Sequence, residues 1–305
     1  MNTPFWEGVL TGAVQSGVSV LYAALGEVIV ERAGIINLGV EGAMLMGASV
    51  GFALAFESGN AGVGIVCGAL AAGLFSLVHA YLVVTRRANQ LASGLTLMFF
   101  GIGLSAFLGK PYVGRMIDGL PQIPLPGLSA LPYVGHILFN HDILTYLVVP
   151  VAFLIWWTLF NTRWGLALRA VGESQVVAYA AGLKPALLQY QAVFLGGLLA
   201  GLGGVHLSLA YTRVWGESMT NGRGFIAVAL VIFATWSPLR AIGGALLFGG
   251  ALAFQLQLQA RGAPVSPFLL DMLPYLLTLA VLLTAGRSRK NTMPEGLKSV
   301  FEGTN

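Results

Sequence analysis

The chain has 305 residues, of which 56% are hydrophobic and only 9% charged, with a mean hydropathy of +0.80 and 41 glycines. This composition is too apolar for a soluble globular protein of such length and indicates a polytopic membrane protein. The net charge of +4 does not predict nucleic-acid binding, because the basic residues are spread among loops and form no single stripe. The lipid bilayer is therefore an expected partner, and nucleic acid is not.

Apolar runs of about 20 residues, long enough to cross a bilayer, recur along the whole chain. They predict nine spans, near residues 7–25, 36–56, 64–84, 91–109, 143–160, 191–211, 222–236, 241–258 and 269–286. The first span is expected to be retained, because the N-terminus lacks a basic leader and a small-residue cleavage site. We therefore predict one all-α transmembrane domain over residues 1–305, with about eight to ten helices because a broken helix would change the count.

The basic residues predict which side of the membrane each loop occupies. With the C-terminus inside, eleven of the 16 lysines and arginines are cytoplasmic and five lie outside, which agrees with the positive-inside rule. We therefore expect a multi-pass protein with an outer loop at residues 110–142, a cytoplasmic loop at 161–190 and a cytoplasmic tail at 287–305.

The segment from Glu27 to Ala48 sets polar residues into a stretch that is otherwise apolar enough to enter a bilayer. Asn37 and Glu41 are costly in hydrocarbon unless they face a cavity or a partner. Gly39 and Gly42 weaken the helix around Glu41, as in broken helices whose freed backbone groups line a water-filled path. The segment therefore predicts part of a substrate path. The alternative is a tightly packed helix in which Glu41 pairs with a neighbour.

A second glycine-rich entry lies at 221–224, at the start of the predicted span 222–236. Corresponding interrupted helices in the two halves of a transporter point to a site near the midplane, whereas a plain outer turn is the alternative. Amide, hydroxyl and aromatic side chains can bind a ribose or a base. The residues expected to line the substrate path are Asn37, Glu41, Asn89, Gln90, Ser93, Asn221 and Phe225.

The two long loops have different expected roles. The outer loop carries five prolines and four glycines, which favours a folded, turn-rich cap for a delivery protein, with a plain connector as the alternative. The cytoplasmic loop repeats apolar residues every three to four positions over 165–182 and places Gly182 as a C-cap, which predicts one short amphipathic helix. Its low lysine content favours a groove on a cytosolic partner over the membrane surface.

Other chemistries find little support in the sequence. Cys67 has no partner cysteine and the four histidines are not spaced as ligand pairs, so no metal site is expected. There is no GxxxxGK[ST] motif to bind ATP phosphates, and no HExxH motif or paired span carboxylates that would indicate catalytic residues of an intramembrane enzyme. An ion-coupled secondary transporter with Glu41 as the titrating group is the other alternative, weakened by the scarcity of acids deep in the spans.

Four stretches carry a family resemblance. They are GIINLGVEGAMLMGA (34–48), IPLPGLSALPYVGHILF (123–139), RAVGESQVVAYAAGL (169–183) and GRGFIAVALVIFATWSPLRAIGGALLFG (222–249). Together they resemble the permease subunits of bacterial ABC importers for nucleosides and simple sugars, over nearly the whole chain. Looser forms of the first and last stretches occur in permeases for ribose and branched-chain amino acids, so these substrates stay open as alternatives.

The resemblance implies a type II importer fold in a bacterial inner membrane and a permease subunit for nucleosides or related sugars, without ATPase activity. It implies a coupling helix within 161–190, whose contact residues would be Arg169, Glu173, Ala180, Ala181 and Gly182. Ser174-Gln175-Val176 replaces the usual Asn-Pro-containing stretch, which leaves the start of that helix open. The implied partners are a cytosolic ABC ATPase that binds the ATP, a second homologous permease subunit and an extracytoplasmic substrate-binding lipoprotein. The chain itself would need no cofactor.

Overall fold

The computed structural model describes residues 5–129, 131, 132, 134–262, 265–285 and 293–302, and these are largely helical. In chain order the helices are α1 (Phe5–Arg32), α2 (Val40–Ser58), α3 (Ala61–Ala80), α4 (Gln90–Gly109), α5 (Val134–Leu138), α6 (Ile143–Asn161), α7 (Arg163–Glu173), α8 (Gln175–Ala180), α9 (Pro185–Val205), α10 (Arg223–Phe233), α11 (Pro238–Ala260), α12 (Pro267–Asp271), α13 (Leu273–Ala285) and α14 (Glu295–Glu302). Two short strands, β1 (Ile123–Pro124) and β2 (Asn140–His141), pair antiparallel. Turns of π-helix continue α3 to Thr85 and α9 to Tyr211.

Seven of the described helices are long and apolar enough to cross a membrane: α1, α2, α3, α4, α6, α9 and α11. Each coincides with one of the predicted spans, because the apolar length that a span needs is already visible in composition. The all-α polytopic architecture is thereby confirmed.

The predicted full-length span at 222–236 is wrong. α10 has only 11 residues, which is about 16 Å at 1.5 Å per residue and roughly half of a hydrocarbon core about 30 Å thick. The chain before it is irregular, since Arg213, Ser218 and Asn221 all have positive φ. The last predicted span, 269–286, is also divided, into α12 and α13, and residue 286 lies outside the described residues.

α1 is the central helix of the bundle. Every residue from Ser16 to Glu31 is buried, because α6, α9, α10 and α11 all pack around it. Some of these contacts need glycine, since a Cβ on Gly26 would lie 2.5 Å from the carbonyl oxygen of Gly196. Such small-residue contacts let membrane helices approach closely.

α6 connects two long loops and thereby defines two ends of the bundle. At the proline end (residues 110–142) the loop is folded, with Ile123 paired to His141 across the two strands. The same loop is tied to the end of α9, because the Leu120 amide donates to the Leu209 carbonyl at 2.9 Å. The turn-rich structure agrees with what the prolines and glycines predict.

At the α7 end (residues 161–184) the prediction of a single helix is wrong. Two helices, α7 and α8, are separated by Ser174, which has an extended backbone and accepts a hydrogen bond from the Val177 amide at 3.3 Å. Serine favours this capping geometry over a helix interior. The predicted C-cap is confirmed, because Gly182 has φ +83° and lies directly after the last turn.

Candidate functional site

The chain between α1 and α2 is irregular, and residues 33–37 of it are buried inside the bundle. Non-helical backbone at membrane depth is tolerated only where protein or water satisfies its polar groups. Here Oε1 of Glu27 accepts a hydrogen bond from the Asn37 amide and Oε1 of Gln90 accepts one from the Ile36 amide, both at 2.8 Å. The predicted broken helix is therefore present, and the predicted residue Gln90 helps to hold it.

Two further helices bind the carbonyl groups of the same segment. Nε2 of Gln189 donates to the Ala33 carbonyl at 3.1 Å, and Nε2 of His79 donates to the Ile36 carbonyl at 3.0 Å. Because Nε2 is the donor, Nδ1 of neutral His79 accepts from the Ser93 hydroxyl at 3.0 Å. Sequence reasoning did not predict the roles of Gln189 and His79, because no motif or residue spacing in the sequence connects either of them with residues 33–37. Among the described residues, no group of three or more His, Cys, Asp or Glu side chains could hold a metal ion.

Asn37 ends the irregular segment and starts α2. Its Oδ1 accepts a hydrogen bond from the Gly39 amide at 2.9 Å, which is the local turn that asparagine side chains favour. Gly39 and Gly94 allow α4 to approach this turn, because a Cβ on Gly94 would lie 2.7 Å from the Leu38 amide nitrogen. The buried position of Asn37 is thus explained by its contact with its own backbone.

The Glu41 carboxylate, in the first turn of α2, binds the start of α10. Its Oε1 accepts from the Thr220 hydroxyl at 2.6 Å and from the Gly222 amide at 2.8 Å. Its Oε2 accepts from the Gly224 amide at 2.6 Å. A carboxylate in this position satisfies N–H groups that have no partner within the helix and interacts favourably with the helix dipole. The two glycine-rich entries seen in the sequence therefore meet, and Glu41 is paired with a neighbour where they do.

The remaining predicted path residues lie nearer the surface. Asn221 and Phe225 flank the Glu41 contact and are exposed. The Asn221 carbonyl accepts a hydrogen bond from the Tyr275 hydroxyl at 3.2 Å. Asn89 is exposed at the start of α4, where its Oδ1 accepts from the Ala92 amide at 3.0 Å. The structure thus places Asn221 and Phe225 beside the buried site and Asn89 at an exposed helix cap.

The far end of α10 is held by the end of α1. Glu31 accepts a hydrogen bond from the indole Nε1 of Trp236. Arg32 donates to the Trp236 carbonyl from Nε at 3.3 Å and from Nη2 at 3.1 Å. Thr235 and Trp236 both have positive φ, an unfavourable conformation for such residues that tertiary contacts must maintain. α10 is therefore anchored at both ends by one continuous stretch of chain, residues 31–41.

α7 packs directly on this stretch. A Cβ on Gly172 would overlap with the carbonyl oxygen of Arg32, and one on Gly34 would lie 3.2 Å from Cα of Gly172. Gly34 also has φ +78°, a conformation that favours glycine. The α7 helix therefore contacts the chain after α1 through backbone atoms, without an intervening layer of side chains.

The predicted coupling residues occupy three different settings. Ala180, Ala181 and Gly182 are exposed at the end of α8. Glu173 is exposed, and its Oε2 accepts from the Glu295 amide at the start of α14 at 3.1 Å. Arg169 is half-buried, with its guanidinium carbon 5.0 Å from the ring centre of Phe160. The end of α8 is thus the part of this set most available to another protein.

α8 carries an exposed apolar surface, of which sequence reasoning predicted the amphipathic pattern but did not single out Val176 and Tyr179. Val176, Val177 and Tyr179 are 79%, 67% and 74% exposed, and we call these three residues the α8 patch. Clustered apolar side chains at a protein surface mark interaction sites. The apolar run over 176–181 carries the signal, but in sequence it is equally typical of the buried face of an amphipathic helix.

Comparisons with known proteins concern the chain as a whole. The family model described as "Branched-chain amino acid transport system / permease component" matches residues 8–282. The "Putative glucose ABC transporter permease protein" of Haloferax volcanii is 41% identical over 91% of both chains. The guanosine ABC transporter permease of Bacillus subtilis and the nucleoside ABC transporter permease of Lactococcus lactis are each 36% identical, with 86% of this chain and 86% and 87% of theirs covered. The chain therefore belongs to this family of ABC transporter permeases.

Proposed function

We propose that the chain is the permease subunit of an ATP-driven importer for nucleosides or related simple sugars. Its relatives include permeases named for guanosine, for nucleosides and for glucose, which supports this substrate class. The membrane would be a bacterial inner membrane, with the α7 end and the C-terminus in the cytoplasm, as the distribution of basic residues favours.

The structural observation that carries the proposal is the direct contact of α7 with residues 32–34. The α8 patch lies next to α7 in the chain, and residues 31–41 hold both ends of α10. A protein seated on α8 would therefore act on the buried site through a short, well-packed route. Coupling of this kind requires only that the seated protein binds one conformation of the permease better than the other.

Membership of an ABC permease family supports an ATPase and a binding protein as partners in general, and we propose a second permease beside them. A cytosolic ABC ATPase would occupy the α8 patch and would bind the ATP, so that the permease needs no cofactor of its own. A second homologous permease would cover part of the exposed apolar surface of the long helices. An extracytoplasmic substrate-binding lipoprotein would deliver solute at the proline end.

Reconstitution tests the proposed function. The chain would be placed in proteoliposomes with its ATPase, permease and binding-protein partners, and uptake of radiolabelled guanosine, glucose and leucine would be measured. We expect ATP-dependent uptake of guanosine or glucose that is lost without the ATPase and unaffected by a protonophore. Uptake of leucine alone would place the chain with amino-acid permeases. Uptake that persists without the ATPase and collapses with the protonophore would indicate a secondary transporter.

A charged substitution tests whether the ATPase binds at the α8 patch. Val177→Asp places a carboxylate in the α8 patch and should reduce the amount of ATPase that copurifies with the permease, because the carboxylate would have to be desolvated in the contact. Val113→Asp, at an exposed position of the proline end, is the control and should leave copurification unchanged. Equal copurification of both variants would remove α8 from the interface.

A further inference from the structure

A polar cavity lies at the proline end, within this one chain. Its outer part, of about 410 Å³, is lined mainly by α1, the 110–142 loop and α11 and is open to the surface. Its inner part, of about 260 Å³, shares Gln15, Gln122 and Tyr211 with the outer part and is also lined by the buried residues Asp142 and His206. The outer part alone falls within the range of about 300–1,000 Å³ found for small-molecule sites.

Carboxamides from three separate parts of the chain converge on this cavity. Gln15 comes from α1, Gln122 and Asn140 from the loop, and Gln257 from α11. Each carboxamide offers both a hydrogen-bond donor and an acceptor. The mixed walls suit an uncharged solute that carries hydroxyl or amide groups, because an ion would be matched by side chains of the opposite charge.

The charged side chains of the cavity favour neither an anionic nor a cationic ligand. Glu7 lines the outer part, and Asp142 and Arg213 line the inner part. Burial by itself would raise the pKa of the Asp142 carboxyl, but His206 and Thr145 outweigh it and hold that pKa well below its usual value. Acidic and basic groups are therefore both present, which again favours a neutral ligand over an anion or a cation.

The π-helical turn that continues α9 contributes two residues to the wall of this cavity. Residues 206–211 form a π-helical turn, in which the Thr212 amide bonds to the Leu207 carbonyl five positions earlier. In an α-helix with 3.6 residues per turn, His206 and Tyr211 would point about 140° apart. The wider π turn brings such positions towards the same side, and π-bulges are frequent at functional sites. Both residues line the inner part of the cavity.

The innermost wall contains a buried polar group that the chain leaves incompletely bonded. His206 is 1% exposed, and its Nε2 lies 3.2 Å from the Thr145 hydroxyl and 3.6 Å from Oδ2 of Asp142. Its Nδ1 has no hydrogen-bond partner among the described residues. Buried ring nitrogens normally have one, so His206 leaves an unbonded polar atom within the wall of the cavity.

We propose that this polar cavity binds an uncharged, hydroxyl-bearing solute of nucleoside or monosaccharide size before the solute reaches the Glu41 region. That the solute then moves on towards Glu41 rests on the proposed function, whereas binding of the solute in the cavity does not. The cavity also adjoins the central helix of the bundle, since the Ser16 hydroxyl of α1 donates to the Tyr211 hydroxyl at 3.1 Å. The ligand would contact the carboxamides of Gln15 and Gln122 and the hydroxyl of Tyr211.

Binding to the full chain alone, in lipid nanodiscs and without ATP, tests the proposal. The probes are guanosine and glucose, compared with guanosine 5′-monophosphate and glucose 6-phosphate as matched anions and with glucosamine as a matched cation. We expect saturable binding of at least one neutral probe, and weaker binding of its charged counterparts. Absence of saturable binding for both neutral probes, or equal binding of the charged ones, would overturn the proposal.

Variants locate the site. Gln122→Leu and Gln15→Leu should each weaken binding of the neutral probe about tenfold, the loss expected for about one hydrogen bond to the ligand. Asp118→Asn, at an exposed position of the same loop outside the cavity, is the matched control and should bind as the unmodified chain does. Gln122 is itself exposed, so its replacement should not impair folding, which a melting curve would verify.

The proposal and the proposed function can fail separately. If the reconstituted transporter takes up guanosine or glucose while both glutamine variants bind and transport normally, only the cavity proposal is wrong. If the transporter takes up neither solute, the proposed function is wrong, while probe binding that the glutamine variants weaken would still establish the cavity as a site.

Discussion

Glu41 and Gly224 meet across 183 positions of the sequence, with Oε2 of Glu41 2.6 Å from the Gly224 amide nitrogen. The contact is close because Gly224 has no side chain: a Cβ there would lie 2.6 Å from the amide nitrogen and Cα of Glu41. The first turns of α2 and α10 thus form one unit. A displacement of either helix start must displace the other or break buried hydrogen bonds.

Glu41→Gln should lower both thermal stability and uptake. A carboxamide keeps one oxygen, which cannot accept all three hydrogen bonds that the carboxylate accepts, and its NH₂ group would face N–H donors. An unsatisfied buried donor costs about 1–3 kcal/mol. Melting in detergent and uptake at matched membrane levels would be measured. The control is Glu217→Gln, at an exposed glutamate of the irregular segment before α10. Melting and uptake equal to those of the unmodified chain would contradict the capping role.

Gly224→Ala should reduce uptake without preventing membrane insertion. The added methyl group would collide with the backbone of Glu41 and force the start of α10 away from α2. The long helices α9 and α11, which precede and follow α10 in the chain, would remain intact. Gly216→Ala is the matched control, because a Cβ at that position would meet nothing within 4 Å. We expect loss of uptake in the first variant only. A normal uptake rate for Gly224→Ala would show that the two helix starts can separate without consequence.

Gly172→Ala should uncouple ATP hydrolysis from transport. The methyl group would overlap with the Arg32 carbonyl and separate α7 from the buried segment, while the α8 patch would remain exposed for its partner. Uptake per ATP hydrolysed should therefore fall, with basal hydrolysis and copurification of the ATPase retained. Gly243→Ala in α11, where a Cβ would meet nothing within 4 Å, should behave normally. A normal ratio for Gly172→Ala would exclude this contact from coupling.

Thiol labelling should place the two ends of the bundle on opposite sides of the membrane. In a Cys67→Ala background, Leu128→Cys at the proline end should react with an impermeant reagent added to intact cells. Gln175→Cys at the α7 end should react only after the membrane is opened. Both positions are exposed in the structure, so access to the reagent depends on topology alone. The reverse pattern would overturn the orientation that the basic residues predict.

The sequence by itself determined that this protein belongs in a lipid bilayer, and it located seven of the long helices. Whether a stretch can cross hydrocarbon depends on composition summed over about 20 neighbouring residues, which is a local property. Asn37 and Glu41 were recognisable for the same reason, because the cost of a polar group in an apolar run is local too. Local turn chemistry likewise predicted the left-handed glycine at 182.

Only the tertiary structure decided what those residues do. The partners of Glu41 lie about the start of α10, and Glu31 meets Trp236 across 205 positions. No periodicity ranks one such distant pairing above another. The same limit explains the error at 222–236, where the helix ends at Phe233, before Thr235 and Trp236 with their positive φ and before the contact of Trp236 with Glu31. The polar cavity was also invisible in sequence, because α1, the 110–142 loop, α9 and α11 form its walls only when they pack together.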